Sequence, residues 1–187
     1  MIAVGFRVKS GFAIAVVLDG SRGTPRAVAR HVVELCDPKA AETRQPYHHG
    51  FYTTESDAHE IARRVRIVRR CAKRAVAALV TETGGVRATL VVGSLIDPNT
   101  VGNPHIRAHA YEGRLFRTVL DKALHAHGVD CDVIVDKHLA ARAAKDLGRP
   151  PAAIARTVMA FGKSLGGPWR ADEKAAATAA WLLLDEA

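Results

Sequence analysis

The chain has 187 residues, 48% of them hydrophobic, and carries 27 Lys and Arg against 19 Asp and Glu, for a net charge of +8. That much apolar sequence can close one sizeable core, so a single domain over residues 1–187 is expected, and no uninterrupted apolar stretch reaches membrane-span length, which excludes a membrane partner of the spanning kind. The excess of positive charge suits a polyanionic partner, DNA or RNA, although a high Arg content can also reflect nucleotide composition alone. The opening residues enter strand pattern directly, without a basic region followed by a signal-length apolar run, so a cytoplasmic location is expected. Cys36, Cys71 and Cys131 are odd in number, far apart and set in apolar runs, the pattern of reduced core thiols.

The organising stretch is Ile2 to Leu18, where two apolar, β-branched runs flank Lys9-Ser10-Gly11. This reads as a β-hairpin, and the run Ile14 to Leu18 is too continuously apolar for a sheet with one wet face. A turn cluster, Asp19 to Pro25, leads to a third strand, Arg26 to Cys36, with Ala27, Ala29, His31 and Val33 alternating against Val28, Arg30, Val32 and Glu34. The stretch Asp37 to Thr54, containing His48-His49, is longer than an ordinary connection, and such loops are often functional. A helix is predicted from Ser56-Asp57 to about Glu82, with Asp57 and Glu60 as a capping box and Thr83-Gly84-Gly85 as its end. Its apolar stripe is Ile61, Val65, Val68, Ala72, Val76 and Leu79; Arg63, Arg66, Arg70 and Lys73 form a basic stripe at the same spacing, joined by Arg64, Arg69 and Arg74. That stripe reads either as a phosphate-contacting surface or as a solvated helix face.

Val86 to Ile96 is a fully apolar run, hence a central strand, and its exit loop Asp97 to Pro104 precedes a helix from about His105 to His127. A fifth strand follows over Val129 to Val135, then helices over Leu139–Leu147, Ala152–Leu165 and Asp172 to about Leu184. The fold class expected is α/β: a five-stranded mixed sheet, three antiparallel strands continued by two parallel ones, with helices on both faces.

This order resembles the ribonuclease H-like superfamily, and within it the RuvC-type resolvases. Val4-Gly5-Phe6-Arg7-Val8-Lys9-Ser10-Gly11-Phe12-Ala13 is similar to the first hairpin of that family. Val91-Val92-Gly93-Ser94, followed by a helix with Arg107, Ala110, Gly113 and Arg114, is similar to its fourth strand and next helix. Trp169 to Ala177 looks like its closing helix, with an acid in the first turn before an alanine-rich face. The resemblance implies nucleic-acid cleavage by two metal ions, Mg or Mn, held between carboxylates from these three places. Here the first strand offers Phe6 or Arg7 and the fourth Gly93 or Ser94, so Asp172 and Glu173 are the acids retained.

The leading reading is therefore a nucleic-acid-associated protein with a degenerate metal site, binding through Arg63, Arg66, Arg70, Lys73, Arg107 and Arg114. A second reading is a metal-dependent nuclease or phosphodiester hydrolase with a relocated site, drawing on Asp97, Glu112, Asp172 and Glu173 with histidine help; Asp172, Glu173 and Asp97 are its candidate catalytic acids. His105 and His109 stand four apart on one helix face and could hold a transition metal with Asp172, or with a third ligand from His48, His49 or Asp97; the alternative is that they are helix-start surface residues. A third reading is a non-catalytic homo-oligomer, a homodimer in its simplest form. Trp169 and Trp181 are read as packing residues.

Overall fold

The computed structural model describes residues 2–50, 53–84 and 87–185. Gly85 and Val86, expected at the end of the first long helix and the start of the fourth strand, lie outside the described residues.

The hairpin is β1 (Ala3–Lys9) and β2 (Phe12–Gly20), paired antiparallel from Ala3↔Leu18 to Lys9↔Phe12. The two-residue turn between them uses Gly11 at φ +85°, a left-handed conformation that glycine adopts without a Cβ penalty. β3 (Pro25–Glu34) continues antiparallel to β2, while β4 (Arg87–Val92) and β5 (Cys131–Val135) add parallel on the far side of β1, giving the order β3-β2-β1-β4-β5. β1 therefore lies at the centre of the sheet, between the antiparallel and parallel halves.

Successive strand side chains point to opposite faces, and each face is covered. Val4, Phe6, Val8, Ala13, Ala15, Val17, Leu90 and Val92 pack with Val68, Val76, Phe116 and Leu120 of α1 (Ala58–Thr83) and α2 (Pro104–His125). Ala3, Ile14, Val16, Leu18, Val91 and Ile134 pack with α3 (Asp136–Leu147), α4 (Pro151–Leu165) and α5 (Ala171–Leu182). This double cover explains why Ile14 to Leu18 is apolar without interruption. Trp181 is fully buried and donates Nε1–H to the Arg22 carbonyl, and Trp169 donates to the Val158 carbonyl, so both rings serve packing. All three cysteines are free.

α5 approaches β1 unusually closely. Ala176, Ala177, Ala179 and Ala180 have no exposed surface, and a Cβ built on Gly5 would stand 1.9 Å from the Ala176 carbonyl oxygen. Helix and strand backbones meet where neither carries bulk, and α5 brings its first turn to the C-terminal end of β1.

Three expectations change in detail. The fourth strand stops at Val92 rather than Ile96, because its pairing with β5 ends at Val92↔Val135; Leu95 and Ile96 are about half exposed in the exit loop. The α1 start uses Asp57 as N-cap, accepting from the His59 and Glu60 amides, but Glu60 turns to Arg63 instead of closing a capping box. Glu55 takes that place, accepting from the Ser56 and Asp57 amides. Arg64 does not join the basic stripe: it is buried, donates to the Pro46 and His48 carbonyls, and pairs with Glu55 at 2.8 Å. Its direction follows from the helix itself, since it stands four before Val68 on the inner face.

Candidate functional site

Alternation along β1 sends Phe6 into the α1/α2 core and leaves Arg7 on the face covered by α5. The Arg7 side chain is only 11% exposed. Its guanidinium donates to Asp136 Oδ2 at 3.0 Å, at the start of α3, and lies 3.5 Å from Asp172 Oδ1 in the first turn of α5. Lys9 Nζ approaches the same Asp172 oxygen at 3.6 Å. Two cations and two carboxylates thus converge, and their formal charges cancel. Arg7, Lys9, Ser10, Gly93, Ser94, His109, Gly113 and Phe116 line a groove of about 260 Å³ at this end of the sheet.

The residues here do not fit a pair of hard divalent cations. Such ions need several oxygen ligands. The guanidinium of Arg7 is already ion-paired with both carboxylates and would repel a metal placed beside them. Glu173, the neighbouring acid, is buried and spent elsewhere: Arg30 donates to its Oε1 at 2.7 Å, and its Oε2 accepts from the Arg170 amide at 2.9 Å. Burial alone would push its carboxyl up, but these hydrogen bonds hold it below the ordinary value.

A second cluster forms around the N-terminal half of α2. Asn103 caps the helix by accepting from the Ile106 amide, with Pro104 in the first turn, and this fixes His105 and His109 one above the other. His48 reaches them from the long loop. Its Nε2 lies 3.3 Å from His105 Nδ1, and His105 Nε2 lies 3.2 Å from His109 Nε2. Behind the rings sits Glu112, with no exposed surface. Its Oε1 accepts from His48 Nδ1 at 2.7 Å and from the Tyr47 amide, while Oε2 lies 3.5 Å from His109 Nδ1 and makes no hydrogen bond. Burial pushes the Glu112 carboxyl up to about 7, opposed by the charge of nearby His109, and burial likewise lowers His48 below the ordinary imidazole value.

The loop is held in place by buried Arg64, whose contacts to the Pro46 and His48 carbonyls and to Glu55 close it against α1. Tyr47 stacks on Tyr111 with ring centroids 5.1 Å apart. His49 is three-quarters exposed and pairs with Glu55 instead.

The basic stripe divides. Arg63 is tied to Glu42 and Glu60. Arg66, Arg69, Arg70, Lys73 and Arg74 are exposed on α1, with no ion pair among the described residues, and Arg69 and Lys73 share a shallow cleft with Lys122 of α2. Arg114 lies over the Tyr111 ring and 3.7 Å from Asp97. Arg107 borders a separate pocket with Tyr47, Glu55 and Tyr111.

The three candidate catalytic acids thus fall into three separate places. Asp172 joins Arg7 and Lys9, Glu173 joins Arg30, and Asp97 joins Arg114 while capping a 3₁₀ turn through the Asn99 amide. Among the described residues, the group able to share one ion is His48, His105 and His109, with ligand atoms within 4.8 Å of one another; Asp172 is not a member. Asp136 was missed, since nothing marks a strand-end acid as the partner of a residue 129 positions earlier. Glu112, named with the acids of the relocated-site reading, stands three after His109 on the same helix face and joins the histidines instead of Asp97, Asp172 or Glu173.

No family model matches the chain, and no curated protein does. Among solved structures the chain is similar to Thermus thermophilus RuvC, with 12% identity and a TM-score of 0.56 over 97% of this chain and 92% of that one. It is equally similar to T. thermophilus RuvC in complex with a Holliday junction substrate, at 12% identity and TM-score 0.56 over 97% and 91% of the two chains. The likeness establishes the architecture: the fold is RuvC-like, of the ribonuclease H-like kind.

Proposed function

We propose that this chain binds DNA or RNA on a RuvC-like scaffold without the ordinary two-metal cleavage. The observation that carries the reading is Arg7, whose guanidinium stands between Asp136 and Asp172 where the fold would otherwise gather carboxylates around metal. The groove is lined by Arg7, Lys9, Ser10 and Ser94, groups suited to a phosphate but not to a hard cation. Support for a nucleic-acid ligand comes from the net charge of +8, from the unpaired α1 cations, and from the structural neighbour solved with a Holliday junction. The relocated-acid reading has less to stand on, because Asp97, Asp172 and Glu173 are each paired with a different arginine.

Fluorescence anisotropy with labelled duplex, junction and single strands, titrated with salt, tests the proposal. If all five exposed α1 cations neutralise phosphates, the log K against log[salt] slope on duplex is about −4.5, and an Arg70→Gln/Lys73→Gln variant reduces it by about 1.8. Absence of binding at low salt, or binding indifferent to salt, overturns the reading; so does Mg²⁺-dependent cleavage that Asp172→Ala abolishes.

A further inference from the structure

We propose that His48, His105 and His109 form a site for one divalent transition-metal ion of the zinc type, with Glu112 as the buried carboxylate that orients two of its ligands. The site adjoins the groove around Arg7, sharing His109 as a wall, and does not depend on the nucleic-acid reading.

The spacing suits such an ion. Zinc–nitrogen bonds of about 2.0–2.1 Å set the edges of a tetrahedron at about 3.3–3.4 Å. One nitrogen from each ring gives three ligand atoms within 4.8 Å of one another, and the His48 Nε2–His105 Nδ1 pair, at 3.3 Å, already has that edge; His105 Nε2, 3.2 Å from His109, is the alternative donor, since one ring gives one nitrogen to an ion. His105 and His109 come from one helix face at a four-residue interval, which fixes their separation. His48 is delivered by a loop that buried Arg64 pins at its own carbonyl.

Glu112 supplies the second observation. It has no exposed surface and lies on the Nδ1 side of both His48, at 2.7 Å, and His109, at 3.5 Å. A carboxylate accepting Nδ1–H fixes the imidazole tautomer and turns the Nε2 lone pair away from itself, the arrangement that buttresses metal-bound histidines. Both Nε2 atoms turned in this way face His105. The Oε2 atom that finds no hydrogen bond is the one beside His109 Nδ1, so a movement of about half an ångström, drawing His109 into a coordination sphere and its Nδ1–H onto the carboxylate, would satisfy it.

With both Nδ1–H groups directed at Glu112, His48 and His109 keep their Nε2 lone pairs on the side of His105, available to an ion. Three neutral nitrogen donors select a borderline ion such as Zn²⁺ or Co²⁺ over Mg²⁺, which prefers oxygen. The cluster opens on a cavity of about 440 Å³ lined also by Ala41, Glu42, Gln45 and Gly50, and Glu42 is engaged by Arg63, so the fourth position falls to solvent.

Metal-free protein titrated with Zn²⁺ against a chromophoric chelator, in excess Mg²⁺, should take up one equivalent. Co²⁺ should give the intense visible absorption of a tetrahedral or five-coordinate nitrogen site. The His109 side chain is 44% exposed and lies outside both hydrophobic cores, so His109→Ala leaves the fold intact by circular dichroism and abolishes stoichiometric uptake; Glu112→Gln lowers affinity about 10–100-fold. Uptake that survives in both His105→Ala and His109→Ala, no uptake by the wild type, or displacement by equimolar Mg²⁺ overturns the site. A folded wild type that binds nucleic acid but not zinc refutes this inference and leaves the preceding one standing.

Discussion

Replacing Gly5 by alanine probes the contact on which the geometry of the groove depends. The added methyl would stand 1.9 Å from the Ala176 carbonyl oxygen and 2.6 Å from the Ala180 amide nitrogen, where ordinary contact begins at 3.4 Å. Both obstacles are helix backbone, so no rotamer change relieves them; α5 must withdraw by up to 1.5 Å, the difference between 3.4 and 1.9 Å. Overpacking of this kind costs about 1–3 kcal/mol, and a clash with backbone belongs at the upper end. Withdrawal also loosens the fully buried alanines and Trp181, because a gap of about 0.5–1 Å already forfeits a quarter to a half of each dispersion contact. A loss of about 3 kcal/mol follows, and for a chain of this size that lowers Tm by about 6–12 °C. Urea unfolding followed by tryptophan fluorescence measures it, with Trp181 reporting from α5. Gly113→Ala is the internal control: nothing lies within 4 Å of its Cβ position, it sits in the middle of α2, and it should gain up to about 1 kcal/mol. A Gly5→Ala protein as stable as wild type would refute the close approach, and with it the argument that α5 is held where Asp172 can reach Arg7.

Two further outcomes are expected. Arg7→Asp changes a balanced set of two cations and two carboxylates into one cation and three carboxylates, a formal charge of −2, so the variant should bind Mn²⁺ in an electron paramagnetic resonance titration at concentrations where wild type binds none; equal binding by both would show that Arg7 does not block the pocket. Glu55 is held down to about 2, first by the Asp57 amide and then by His49, with Arg64 contributing, so its folded value lies below its unfolded one and its stabilisation is present above the unfolded value near 4.5 and lost as pH falls towards 2. The stability gap between wild type and Glu55→Gln should therefore shrink between about pH 5 and 2; a gap that is constant over that range would contradict the assignment.

Much of the fold was legible because burial imposes periodicity on the chain. Ile14 to Leu18 could be assigned to a sheet covered on both sides since both sets of alternating side chains are apolar, and the packing of Ala15 and Val17 against one core and of Val16 and Leu18 against the other is the physical cause. Helix positions followed from Val68, Ala72, Val76 and Leu79 on one face of α1. What periodicity could not give was the fate of a polar residue on an apolar face. Arg64 carries the same formula as its neighbours in the basic stripe, and only the loop folded across it distinguishes a buried tether from a solvated cation.

The candidate sites show the same division more sharply. His105 and His109 could be paired from their interval alone, because a helix fixes which residues are neighbours. The partner that completes them lies 57 residues away from His105 in a segment without regular structure, and the partner of Arg7 lies 129 residues away. No local rule encodes such pairs; the closing of the sheet creates them. The two clusters nevertheless share a wall, since His109 borders both the Arg7 groove and the histidine cavity, and they differ in how charge is settled. At Arg7 the protein carries its own cation in covalent form, so the carboxylates of Asp136 and Asp172 have nothing left to recruit. Around His105 three imidazoles gather, and two of them turn Nδ1 to buried Glu112, which leaves their Nε2 atoms facing away from the carboxylate. A metal ion bound by this chain is therefore expected at the histidines, and it follows nitrogen-ligand preferences rather than those of a carboxylate pocket.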